Sequence, residues 1–309
     1  MKTWVKNFKN FQILVPASIS NLGCGFDTLG LAISLYFKTC VYAAPQFQFE
    51  MKLNGKPLEI PVSENLFLKV LRSCYPVSPD DWHFKIAIDT ELPLKRGLGS
   101  SSCAIISAVL TAAKLLNLKH EAAQILHTSM QWEPHPDNLC ASTLGGFTTA
   151  MIDDSGQVMY QKLSFPRSLR VLLLIPELEI STEQARQLLP QLYPQQVVVA
   201  NLQRLAFFMG CLQDGDFHGL RESVADQVHQ PYRAPLIPFA RDLLRTDQFP
   251  SESAVVMSGS GPSFAFFFRV HEKKIRSVIQ EIMNVHHIQY ELRNVMVDEE
   301  GARIESLED

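Results

Sequence analysis

Apolar and polar residues alternate in some windows of the chain and recur at helical spacing in others. Phe84, Ile86 and Ile88 alternate with polar neighbours across residues 82–89, the period of a half-buried strand. Residues 46–53 alternate similarly and end at Asn54-Gly55, a strong hairpin-turn signal. Residues 11–16, 29–35 and 38–43 read as further strands, and 145–151 with 157–163 as a hairpin around Asp153-Asp154-Ser155-Gly156. Between them, residues 64–74 predict a helix with Ser63 as its cap. An apolar run from Cys103 predicts a buried helix reaching about Leu116, and residues 120–130 a further helix.

Beyond Pro166 the pattern changes. Residues 169–175 form a continuous apolar strand, followed by helices at 182–189, 197–212, 217–223 and 236–244. Strands at 254–257 and 264–268, a helix at 272–284 and a final strand at 288–297 complete the order. Strand–helices–strand–strand–helix–strand is the split βαβ arrangement of a ferredoxin-like domain. The expectation is an α+β chain of two domains, 1–165 and 166–309, divided at Pro166.

Composition narrows this reading. With 309 residues, 46% of them apolar, the chain can bury a full core. Its net charge of -4 carries no basic excess, which argues against nucleic acid as a partner. Cys24, Cys40, Cys74, Cys103, Cys140 and Cys211 are widely spaced without a Cys-x-x-Cys pair, so free thiols are expected rather than a disulfide framework or structural zinc. Lys2, Lys6 and Lys9 precede no long apolar segment with a cleavage site. No run approaches the roughly 18–20 apolar residues of a membrane span, and a cytoplasmic protein is expected.

Candidate chemistry sits in three Gly/Ser loops, at 17–27, 96–102 and 258–262, each behind an expected strand. Gly97-Leu98-Gly99-Ser100-Ser101-Ser102 opens the buried helix. A helix start leaves N–H groups unpaired at the positive end of the dipole, and glycine lets a ligand approach the backbone. A phosphate chain would suit that place, although a Ser-capped turn has the same local pattern. The sequence lacks the Lys-bearing P-loop, and 259–261 is not a dinucleotide fingerprint. Glu133, His135 and Asp137 lie in a stretch held by Pro134 and Pro136, read as a rigid loop over 132–138. They are candidate metal ligands, a base, or loop caps; a hard cation such as Mg²⁺ would suit the carboxylates. Arg186 lies four residues after Thr182 on one helix face, and Arg233 in a Pro-bounded loop. Each is either a surface arginine or one half of a carboxylate clamp.

These motifs resemble those of the GHMP kinases. Pro93-x-x-x-Gly97-Leu98-Gly99-Ser100-Ser101 is similar to the superfamily's second motif, and Ser258-Gly259-Ser260-Gly261-Pro262 to its third. The stretch from Pro16 through Asn21, Asp27 and Gly30 resembles the opening of the homoserine-kinase branch, as does His135-Pro136-Asp137-Asn138 followed by Leu144-Gly145-Gly146. Cys24, Ser18, Pro134 and Cys140 depart from the usual residues and bear on loop stiffness more than chemistry.

The resemblance implies an N-terminal, ATP-binding domain like the second domain of ribosomal protein S5, then a ferredoxin-like α/β sandwich. It implies ATP-dependent phosphorylation of L-homoserine with Mg²⁺, on the way to threonine. Its partners would be L-homoserine and ATP, with no nucleic acid and no membrane, and a homodimer as the candidate assembly. Asn21, Asp27, His135, Asp137, Asn138, Thr182, Arg186 and Arg233 would bind the amino acid, with Asp27 and Asn138 nearest the chemistry. Asn65, Pro93, Lys95, Arg96, Gly97, Leu98, Gly99, Ser100, Ser101, Ser102 and Ser260 would meet ATP. Ser101 and Glu133 would hold Mg²⁺.

Overall fold

A computed structural model describes residues 8–307; Lys2 and Lys6 lie outside them. The first sheet has eight strands: β1 (Phe11–Ser20), β2 (Leu29–Ala43), β3 (Gln48–Leu53), β4 (Lys56–Pro57), β5 (Phe84–Thr90), β6 (Phe147–Ile152), β7 (Val158–Leu163) and β12 (Arg303–Ser306). Its main path runs β12-β1-β2-β5-β3-β4, and the β6–β7 hairpin pairs with the start of β2. β3 and β5 run parallel; the other pairs are antiparallel. Against this sheet lie α1 (Leu66–Cys74), α2 (Ser100–Leu115), α3 (Ala122–Ser129) and α4 (Pro136–Leu144). α2 packs on β1, β2 and the other three helices. It is apolar nearly all round because a central helix has almost no solvent face.

The second sheet contains β8 (Arg170–Pro176), β9 (Ser253–Met257), β10 (Phe264–Phe268) and β11 (Tyr290–Val295), ordered β11-β8-β10-β9 and antiparallel throughout. Its connections carry α5 (Thr182–Gln187), α6 (Gln195–Asp214), the single turns α7 (Leu220–Ser223), α8 (Gln230–Arg233) and α9 (Ala240–Leu243), and α10 (Glu272–His286). The apolar run of β8 is continuous because both faces of this sheet are covered. Leu172, Leu174, Phe264, Phe266 and Phe268 face a core closed by Ile275, Ile279 and Met283 of α10. Val171, Leu173, Ala265 and Phe267 face the other way, into a core continuous with that of the first sheet.

Several elements differ from the sequence reading. Residues 29–43 form one strand, because Ser34, Tyr36 and Lys38 alternate with buried Ile33, Leu35 and Phe37 within a single ladder. Residues 17–20 belong to β1 rather than to a loop. The cap of α1 is Asn65, not Ser63: its Oδ1 accepts from the Leu68 N–H at 3.1 Å. The expected loop at 132–138 turns into α4 at Pro136. Proline is tolerated there because the first helical N–H has no partner in any case. Arg233 likewise ends the helical turn α8 rather than lying in a loop. The strand ending near Val295 is not the last: β12 returns to pair with β1, so the chain finishes in the first sheet. All six cysteines are free, and burial pushes the Cys24, Cys103 and Cys140 thiols up to about 12.

Candidate functional site

The site forms where β1 ends and three loops meet. The Ser18 N–H donates to the Leu98 carbonyl at 3.2 Å, and the Gly259 N–H to Ser20 O at 3.3 Å. The Ser258 hydroxyl donates to Gly97 O at 2.6 Å, and the Ser263 N–H to Arg96 O at 3.3 Å. Gly97 has φ +73°, and a Cβ there would collide with the Ser258 and Gly261 carbonyl oxygens. Only glycine meets both demands. The loops enclose a cavity of ≈ 330 Å³ between the first sheet's helices and the second sheet's connections.

One wall is the start of α2. Gly99, with φ +71°, precedes it, and the Cys103 N–H donates to Gly99 O at 2.9 Å. The N–H groups of Ser100, Ser101 and Ser102 therefore lack helical partners, a ready anion site. Glu133 faces this turn; its Oε2 accepts from Ser102 Oγ at 2.7 Å and Ser101 Oγ at 3.2 Å. Burial raises the Glu133 pKa, while the two hydroxyls and Arg186 pull it down. Lys95 and Arg96 both reach Glu179 at 3.6 Å, exposed contacts of little stability value.

The opposite wall is charged and mostly buried. Asp27 meets Arg186 through two parallel bonds, Nη1–Oδ2 at 3.0 Å and Nη2–Oδ1 at 2.8 Å. Asn21, itself at φ +69°, accepts the Asp27 N–H at 3.0 Å and donates from Nδ2 to Gly259 O at 3.0 Å, fixing that loop. Arg233 is only 2% exposed; its Nη1 donates to Gly259 O at 2.9 Å. The Nε of each arginine is buried without a partner. Burial and the neighbouring Arg186 lower the Arg233 pKa to about 10, which leaves it charged at neutral pH. Thr182 Oγ1 lies 3.2 Å from Ser260 Oγ.

α4 supplies the floor. Asn138 accepts from Ser18 Oγ at 2.8 Å and donates to Ser20 Oγ at 3.0 Å, so its amide is held between two hydroxyls. Asp137 is buried; desolvation and the Asp27 charge push its carboxyl up to about 7. Burial lowers the His135 pKa, against the pull of the Asp27 charge and with the help of the two arginines.

The cavity brings together most of the residues expected from sequence, but not all. Asn65, Pro93, Arg96, Leu98 and Ser102 do not line it. Leu98 is in the core, and the Ser102 hydroxyl is spent on Glu133. Asn65 is the α1 cap, with its Nδ2 buried and unpaired, and the next residue, Leu66, reaches the cavity. Sequence reasoning missed Ser20, Leu66, Ile105, Trp132, Pro134 and Gly259 as lining residues. Trp132, next to Glu133 in a proline-rich stretch, carried a usable signal; Leu66 and Ile105 look like core residues in any sequence.

Comparison with known proteins agrees with this geometry. The GHMP kinases N terminal domain matches residues 65–146. A homoserine kinase from Aquifex aeolicus is 34% identical over 274 residues, 88% of this chain and 91% of that protein. One from Persephonella marina is 33% identical over 97% of this chain and 100% of its own length. The crystal structure of homoserine kinase from Cytophaga hutchinsonii superposes with a TM-score of 0.80 at 22% identity, covering 98% of this chain and 100% of that one. With a two-sheet fold and relatives matched over nearly their whole length, one of them 34% identical, this chain belongs to the homoserine kinase family of the GHMP kinases.

Proposed function

We infer that the protein phosphorylates L-homoserine with ATP and Mg²⁺, forming ADP and O-phospho-L-homoserine, a step of threonine biosynthesis. The observation that carries the reading is the pairing of two charged ends within one cavity. Arg186 and Arg233 each keep a buried, unpartnered Nε, and Asp27 stands against Arg186. A zwitterion answers both: its carboxylate takes arginine donors, and its ammonium takes the Asp27 and Asp137 carboxylates. The N-terminal turn of α2 lies across the same cavity, where a γ-phosphate can be presented.

The donor set at Ser101 and Glu133 fits Mg²⁺. It offers a carboxylate and a hydroxyl, hard oxygens only, beside the place where phosphate oxygens would complete the shell. The ion supplies neutralisation of phosphate charge when bound. The chain's own residues do the rest by positioning. Gly97, Gly99, Ser100 and Ser101 cradle the phosphates with backbone donors, Lys95 and Ser260 flank them, and Leu66, Ile105 and Trp132 give an apolar wall for the base. Asn65 Nδ2 is a donor in want of an acceptor beside that wall. Thr182 and His135 border the amino acid, and Asn138, locked by Ser18 and Ser20, orients the attacking hydroxyl. Attack is in line, and no side chain is assigned as a dedicated base.

We assign ATP binding to the first sheet and its helices, within 1–165, and the ferredoxin-like domain to the second sheet, within 166–309, with β12 returning from that half to the first sheet. A cytoplasmic location accords with the finding that, among the described residues, no helix is long and apolar enough to cross a membrane. Exposed Val198, Leu202 and Phe207 on α6 support a homodimer. Arg233→Ala tests the carboxylate reading. It is expected to raise the KM for homoserine at least tenfold while the KM for ATP stays within twofold, measured by coupled ADP release. Equal effects on both would reject it.

A further inference from the structure

Arg233 is not oriented by the substrate site alone. Behind it lies an imidazole that no step above uses. His229 is completely buried, one helical turn before Arg233, whose N–H donates to His229 O at 3.1 Å. The imidazole Nε2 lies 2.8 Å from Gly23 O. A carbonyl can only accept, so Nε2 carries the proton, and Nδ1 is left as an acceptor. Arg233 Nη1 lies 3.3 Å from that Nδ1 and 2.9 Å from Gly259 O. The two Nη1 protons are therefore both spent inside the protein. The remaining edge of the guanidinium, Nε with Nη2, is the pair of parallel donors that a carboxylate matches, and its Nε is the buried atom without a partner.

Two further contacts hold the imidazole. The Asp226 carboxylate accepts the backbone N–H groups of Val228, His229 and Gln230 at 2.8, 2.8 and 2.6 Å, fixing the start of this turn. The Phe26 ring stacks on His229 at 5.1 Å with an interplanar angle of 22°. The same ring carries the guanidinium groups of Arg233 at 5.1 Å and Arg186 at 5.3 Å. Phe26 immediately precedes Asp27, and Gly23 opens the same loop, so one cluster ties the loop bearing Asp27 to both arginines.

We propose that His229, seated on Phe26, is a positioning residue for the proposed reaction: its Nδ1 sets the rotation of the Arg233 guanidinium so that the Nε–Nη2 edge meets the amino-acid carboxylate. Burial lowers the His229 pKa, opposed by the Asp226 carboxylate, whose Oδ2 lies 3.6 Å from Nε2. The inference rests on the homoserine reading and adds a specificity element to it. A residue that merely filled space would support the nucleotide and amino-acid halves alike. An orienting acceptor acts on one half only.

The test is steady-state kinetics on full-length His229→Leu and His229→Asn, alongside the unaltered protein. Asn keeps an oxygen acceptor near the place of Nδ1; Leu removes it. His229→Leu is expected to raise the homoserine KM about tenfold or more with the ATP KM within twofold, and His229→Asn to recover most of that loss. Parallel rises in both KM values, an Asn variant no better than Leu, or an unchanged homoserine KM would overturn the proposal. If His229→Leu does not fold, His229→Asn against Phe26→Leu decides: Asn must stay near the unaltered protein's homoserine KM, and Phe26→Leu must raise that KM alone. Failure of the unaltered protein to phosphorylate homoserine would instead overturn the underlying reading, so the two failures are distinct.

Discussion

Asp137 shows how a single side chain reports on the site. Its buried carboxyl titrates near 7, raised by desolvation and by the Asp27 charge, so at pH 7 about half of it is protonated. An ammonium group placed beside it favours the ionised form and lowers that pKa. Binding homoserine without nucleotide or metal at pH 7 should therefore release up to about half a proton. Calorimetric titration in two buffers of different ionisation enthalpy measures this, and Asp137→Asn should abolish it. Proton uptake, or the same release from the Asn variant, would remove Asp137 from the ammonium site. The types of these residues were legible in the sequence, because the His-Pro-Asp-Asn run and the two arginines resemble a family pattern. Their states were not. That Arg233 is buried with Nη1 already spent on His229 and Gly259, and that Asp137 lies close enough to Asp27 to feel its charge, are consequences of tertiary packing.

At the scale of elements, α1 illustrates a residue with two uses. Asn65 Oδ1 caps the helix, and Nδ2 is buried without a partner, one residue before the cavity-lining Leu66. Removing the cap costs about 1 kcal/mol, within a usual range of roughly 0.5–2. Asn65→Ala should lower stability by that amount, whereas Asn65→Ser should retain the cap and so the stability. Both should raise the ATP KM if Nδ2 serves the nucleotide. Denaturant melts and ATP kinetics on the pair separate the two uses, and a Ser variant with an unchanged ATP KM would confine Asn65 to capping. β5, with its clear alternation, and α2 and β8, as continuous apolar runs, were legible. α4 and α8 were hidden because proline reads as a breaker until its place at a helix's first turn is known. β12 was hidden because four residues with only one aliphatic, Ile304, carry no strand period, and its existence depends on the exposed edge of β1.

For the whole molecule, the decisive feature is that two sheets present their chemistry to one cavity. The first sheet's side brings the Gly97–Ser101 turn to it, and the connections of the second bring Thr182, Arg186, Arg233 and Ser260. A core continuous across both sheets holds these walls at fixed separation. The order of strands in the second sheet followed from the chain's pattern; the shared core did not, since periodicity shows which face is apolar and not what covers it. The most direct measurement is ADP release from ATP and Mg²⁺ in the presence of homoserine, threonine, serine, mevalonate or shikimate. The account predicts that homoserine gives the highest kcat/KM, with O-phospho-L-homoserine as product. Failure of homoserine to accelerate ADP release, or a higher kcat/KM for mevalonate or shikimate, would contradict it.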